Sequence, residues 1–141
     1  IPQVVLDELV RLQPGRIVIL GGRGVVSSVL ESSLDAYTAG PVVRLAGAGR
    51  FETSVLISQA TFDPGVPVVY IANGFGFPDA LSGAPVAGIE GGPILLVSAT
   101  EIPQVVLDEL VRLQPGRIVV LGGEGVVSRA VRNQLVALVA E

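Results

Sequence analysis

The chain has 141 residues, half of them hydrophobic and 16% charged, with a net charge of −4 and a mean hydropathy of +0.67. This composition excludes a disordered chain, and the longest uncharged stretch, the 15 residues from Pro64 to Pro78, is short of the roughly 20 apolar residues of a membrane-spanning helix. All nine basic residues are Arg and none cluster, which speaks against nucleic acid as a partner.

In chain order the apolar pattern predicts helices at 2–13, 26–38, 51–61, 79–89, 103–114 and 128–140. Strands alternate with them at Ile17–Leu20, Val42–Leu45, Val68–Ala72, Ile94–Val97 and Ile118–Leu121. The strand runs are continuous and rich in Val and Ile, the mark of strands buried on both faces in parallel sheets. Ser28-Val29-Leu30-Glu31 has the form of a capping box. In the fifth helix Ile102, Val106, Leu110 and Leu113 share one face, and Gln104, Asp108 and Arg112 the other, with Asp108 and Arg112 spaced for an i,i+4 pair. Pro103 suits a first turn, and Gln114-Pro115-Gly116 stops the helix as Gln13-Pro14-Gly15 stops the first. Strict alternation predicts an α/β fold: a three-layer α/β/α sandwich with a mainly parallel sheet of about five strands, Rossmann-like or Toprim-like.

Residues 1–34 recur at 102–135, and 26 of the 34 positions are identical. This predicts a tandem array with a period near 101 residues. On that reading 1–40 is the second half of a preceding unit and 41–141 one complete unit, together forming one compact domain. The chain opens on Ile1 rather than Met, so it reads as a mature product or an excised piece. Near-identical segments should want similar surroundings. Residues 1–40 therefore either extend the sheet of the complete unit or dock on the complementary half of another chain, giving an exchanged oligomer.

The residues that are missing narrow the chemistry. There is no Cys, His, Met, Trp or Lys. Thiol nucleophiles, the Ser-His-Asp arrangement, Cys/His zinc sites, Schiff bases and the Gly-Lys phosphate loop are all excluded. We expect no catalytic residue, no metal and no cofactor. Asp79 and Glu124, near strand ends, are the carboxylates an enzyme would have to use.

Parallel sheets bind ligands beyond the carboxyl ends of their strands. Here each strand runs into a small-residue loop, at 21–24, 46–50, 73–79, 98–100 and 122–125. Gly47, Gly49 and Gly74 permit close backbone approach, and helix amino termini at that rim favour an anion. Arg50 either contacts an anionic ligand or pairs with a carboxylate. Asn73 can offer side-chain hydrogen bonds. Asp79 reads most simply as a helix cap, with ligand contact as its other role. Pro93-Ile94-Leu95-Leu96 reads as a buried strand. Gly22-x-Gly24-x-x-Ser27 lacks the third glycine of a dinucleotide fingerprint, and no acidic residue closes the next strand.

The segments VVRLAGAGRFETSVLIS (42–58), VVYIANGFGFPDALSGAPVAG (68–88), GGPILLV (91–97) and RIVVLGGEGVVSRAV (117–131) resemble, in order and spacing, the type-two cell-wall-binding repeat. The resemblance covers 42–140 as one unit and 1–40 as half of another. It implies a non-catalytic extracellular module of surface-layer and secreted proteins that attaches non-covalently to an anionic cell-wall polymer. It also implies homo-oligomers, a trimer first. The strand segment matching Pro93, Ile94, Leu95 and Leu96 is linked to polymer binding in that family. This chain departs from the family pattern at Gly49, where Asp is usual, and at Phe51, where Tyr is common. On this reading the ligand residues are Gly47, Gly49, Arg50, Asn73, Gly74, Asp79 and Pro93–Leu96, and the alternative is a self-assembling repeat with no ligand of its own.

Overall fold

The decapeptide QVVLDELVRL forms a helix twice, as α1 (Gln3–Leu12) and as α5 (Gln104–Leu113). Each begins after a proline in extended conformation. Each ends at a glutamine in the left-handed region, Gln13 at φ 43° and Gln114 at φ 46°. A computed structural model of the chain describes residues 1–138, and the end of the helix expected at 128–140 lies outside them. The cap of α2 (Ser28–Leu34) is Ser27, whose hydroxyl accepts from the Leu30 amide, so the capping residue stands one position before the expected Ser28. Ser128 caps α6 (Arg129–Ala137) in the same way.

The chain divides into two compact units, 1–49 and 50–141. In the first unit β1 (Ile17–Leu20) and β2 (Val42–Leu45) form a parallel pair, in register from Ile17 opposite Val42 to Leu20 opposite Leu45. The crossover is α2 followed by a 3-10 turn, Asp35–Tyr37. Thr38 ties its end, donating from Oγ1 to the Pro14 carbonyl at 2.7 Å and accepting from the Gly40 amide. Arg44 on β2 binds Glu31 on α2 at 3.0 Å and donates to the Gly21 carbonyl at 2.6 Å.

In the second unit β3 (Val69–Asn73) is the central strand, flanked by β4 (Ile94–Val97) and β5 (Ile118–Val120), all parallel. One sheet face carries Val69, Ile71, Leu95 and Val97 and packs on α3 (Arg50–Gln59), α5 and α6. The other carries Val68 and Tyr70 and packs on α4 (Phe77–Glu90) through Ala87. That is the expected three-layer sandwich, with β3 buried on both faces as its continuous apolar run demanded. The five strands form two sheets, of two and three strands, in place of one. Periodicity records which residues form strands and is silent on which strand pairs with which.

The α5 ion pair also differs from expectation. Arg112 binds Glu109, not Asp108, with two contacts of 2.8 Å, while Asp108 accepts from Gln104. Glu109 lies on the apolar face, fully buried, and also accepts from Ser58 at 2.5 Å and Gln59 at 3.2 Å. A buried carboxylate is tolerable only when its lone pairs are so satisfied.

Candidate functional site

Because β3, β4 and β5 are parallel, their carboxyl ends open on one rim of the second unit. Asn73 ends the central strand there. Its Nδ2 donates to the Val126 carbonyl at 2.7 Å, and its Oδ1 accepts from the Phe75 amide at 2.8 Å. The side chain thus fastens the loop after β3 to the loop after β5. Asn73 is a positioning residue of the rim.

Arg50 opens α3 beside that loop. Its Nη1 donates to the Gly74 carbonyl at 2.6 Å, and its guanidinium lies 4.8 Å from the centre of the Phe75 ring. Phe51 meets the same ring edge-on at 5.7 Å. A Cβ on Gly74 would stand 2.8 Å from the Phe51 ring and 3.1 Å from the Arg50 side chain, so a larger residue at 74 would push these side chains aside. No carboxylate ion-pairs with Arg50 among the described residues. Of the two roles open to Arg50, the carboxylate pair is absent from that set. The cation instead rests on a π face.

Phe75 and Phe77 are 67% and 77% exposed. Phe75 stands in the glycine-bounded turn and Phe77 opens α4, so two large apolar rings are exposed at this rim. Sequence reasoning gave them no role. The signal was available, since the chain holds only four Phe and two of them stand in this loop.

The other expected residues fall as follows. Asp79 lies in the first turn of α4, and a Cβ on Gly122 would sit 2.6 Å from its carboxylate. The Asp79 side chain therefore rests on the glycine loop after β5. Pro93 and Leu95 are interior, and Ile94 and Leu96 are half-buried. The Pro93 carbonyl accepts from Tyr70, and the Leu96 amide donates to Ser54, which covers the outer edge of β4. The side chains of Pro93–Leu96 build the sheet, and the rim residues stand at its end. Gly47 and Gly49 belong to the last loop of the first unit. Glu124 pairs with Arg129 at 3.1 Å. An open groove of about 580 Å³ in the first unit, lined by Leu9, Val10, Gln13 and Tyr37, holds none of the expected residues.

The rim offers one cation over an aromatic face and exposed aromatic rings at the strand ends.

Comparison with known proteins agrees with the fold and the sequence segments. Residues 44–132 match the family described as Cell wall binding domain 2 (CWB2). The chain is 30% identical over 130 residues to the amidase enhancer of Bacillus subtilis, covering 91% of this chain and 17% of that protein. It is 30% identical over 128 residues to the N-acetylmuramoyl-L-alanine amidase LytC of the same organism, covering 91% and 25%. The structure of Cwp6 from Clostridium difficile superposes with a TM-score of 0.88 at 31% identity, over 98% of this chain and 22% of that one. The chain thus spans a quarter or less of these proteins.

Proposed function

The chain belongs to the Cell wall binding domain 2 family, and from that membership we propose that it anchors a protein non-covalently to the cell wall, outside the cell, by binding an anionic wall polysaccharide. The observation that carries this reading is the Arg50 guanidinium held on the exposed Phe75 face at the strand-end rim. Sugar rings stack on exposed aromatic faces, and an Arg beside the face binds a phosphate or carboxylate substituent by charge-assisted hydrogen bonds. The first turn of α4 adds backbone donors. Gly74 keeps the loop close to Arg50, and Asn73 and Asp79 hold the two rim loops. In the family-wide role of Pro93–Leu96 we read these residues as the frame of the site. The module is non-catalytic on this reading. Its own charge of −4 repels an anionic polymer at long range, so capture depends on local contacts at Arg50.

The test is co-sedimentation with Gram-positive cell walls before and after chemical removal of their anionic polymers. Binding is expected to disappear with the polymer. Arg50→Ala is expected to weaken it about tenfold, the loss of one charge-assisted contact, with Arg50→Lys intermediate because the lysine keeps charge without the planar fork. Phe75→Ala weakens it comparably. Full binding by Arg50→Ala removes the rim from the site; full binding to stripped walls removes the anionic polymer as the ligand.

A further inference from the structure

The rim carries a reactive dipeptide. The chain holds two asparagines, Asn73 and Asn133, and Asn73 alone among its Asn and Asp residues is followed by glycine. In an Asn-Gly pair no Cβ on the second residue shields its nitrogen, which can attack the asparagine side-chain carbonyl. A bond forms from the Gly74 nitrogen to the Asn73 Cγ, the side-chain nitrogen leaves as ammonia, and a cyclic imide remains. Water then opens the imide at either carbonyl, giving aspartate or, with the chain rerouted through the side chain, isoaspartate. The rim's own packing favours this pair, because a residue larger than Gly74 would displace Phe51 and Arg50.

The folded rim withholds both reactants. The Gly74 amide donates to the Val97 carbonyl at 2.8 Å, which ties the attacking nitrogen to the neighbouring strand β4. The Asn73 side chain is 9% exposed and bonded at both ends, to the Val126 carbonyl and the Phe75 amide. Attack requires Asn73 to leave both partners and Gly74 to leave Val97, so it requires the loop after β3 to part from the loop after β5. Asn133 supplies the contrast within the chain. It is exposed on α6 and is followed by Gln134.

We propose that Asn73-Gly74 is a conditional self-modification site: the closed rim protects it, and opening of the rim exposes it to a deamidation that reclosing does not reverse. The product cannot restore the tie. Asn73 Nδ2 donates to the Val126 carbonyl at 2.7 Å. In aspartate an oxygen takes that place, repels the carbonyl and leaves it without its donor. Isoaspartate also lengthens the backbone by a carbon and shifts Gly74 from Val97. The Phe75 amide keeps an acceptor, so the loop after β5 is the one set free. Opening of the rim thereby becomes permanent and accumulates with the age of the protein. The consequence for anchoring rests on the wall-binding reading above: a deamidated module loses the frame of Arg50 and Phe75 and detaches, and bound polymer, by holding the rim closed, slows the reaction.

Incubation of the full chain in mildly alkaline buffer, folded and in denaturant, tests this, with peptide mapping of Asn73 and isoaspartate counted by an isoaspartyl methyltransferase. Conversion at Asn73 is expected in the denatured chain and to be at least about tenfold slower in the folded one, where attack waits on local opening. Asn133 is expected to stay intact in both. Asn73→Asp presents the product directly. Amide hydrogen exchange is expected to quicken at Gly74 and at 122–127, while the interior of β3 stays protected. If Asn73→Asp does not fold, deamidated wild type separated by ion exchange takes its place. Equal conversion in folded and denatured chains, or loops in the product that exchange as in the wild type, overturns the proposal. Wall co-sedimentation is read separately. A wild type that binds walls and an Asn73→Asp that binds equally removes the consequence for anchoring; a wild type that does not bind overturns the wall reading, and conversion and exchange still decide the modification.

Discussion

Leu113→Ala is expected to lower the stability of the second unit by about 3 kcal/mol, while Leu12→Ala lowers that of the first by under about 0.5 kcal/mol. Both leucines close the same decapeptide QVVLDELVRL, in helices with the same start and the same left-handed stop. Helix propensity, capping and the local denatured chain are therefore matched. What remains is the surroundings. Leu113 is fully buried among Val66, Val106 and Leu110, whereas Leu12 is more than half exposed. Removing Leu113 leaves a cavity that a sheet packed on both faces cannot collapse to fill. Amide hydrogen exchange of β3, read at low chain concentration, reports the second unit; exchange of β1 reports the first. Equal losses at the two sites would mean that packing does not distinguish the copies.

The sequence made the strands legible because they are short apolar runs between glycine and proline punctuation. Ile17–Leu20, Val42–Leu45 and Ile94–Val97 form as their patterns indicate. β3 runs one residue further, to Asn73, because that side chain satisfies the loops from the strand's end. The capping box was placed at Ser28, whereas Ser27 caps α2; the second copy, Ser128-Arg129, aligns with Ser27-Ser28 and held the signal. The split into two sheets was not legible. The same helix–strand segment occurs twice, and its apolar pattern does not record which strand it pairs with. The Glu109 network was half-legible. A glutamate between Val106 and Leu110 is an anomaly in an apolar stripe, but its partners Ser58 and Gln59 are some fifty residues away. At the site, Arg50 and Gly74 stood out by charge and by glycine. Phe75 and Phe77 passed unnoticed because isolated apolar residues usually mean core, and only the fold reveals that these two face solvent.

Glu109→Ala is expected to destabilise the second unit by about 3–5 kcal/mol, the cost of breaking a buried ion pair from one side. It leaves the buried Ser58 hydroxyl without its acceptor and Arg112 without its main partner. Burial pushes the Glu109 carboxyl upward, but the bonds from Arg112, Ser58 and Gln59 outweigh it and hold the group below the ordinary carboxylate range. A carboxyl lowered by folding contributes stability that is fully present above its unfolded value of about 4.3, and loses it as pH falls through the lower folded value. Unfolding of the second unit is therefore expected to become easier below about pH 4, and Glu109→Gln, which cannot titrate, to flatten that dependence while lowering stability at neutral pH. Glu8→Gln, at the duplicate position, is expected to leave the second unit's acid profile as it is. Denaturant midpoints across pH for these chains decide it. A wild-type profile unchanged by Glu109→Gln would place the acid sensitivity elsewhere, with Glu90 next, since Tyr70 and Arg117 hold its carboxyl down in the same unit.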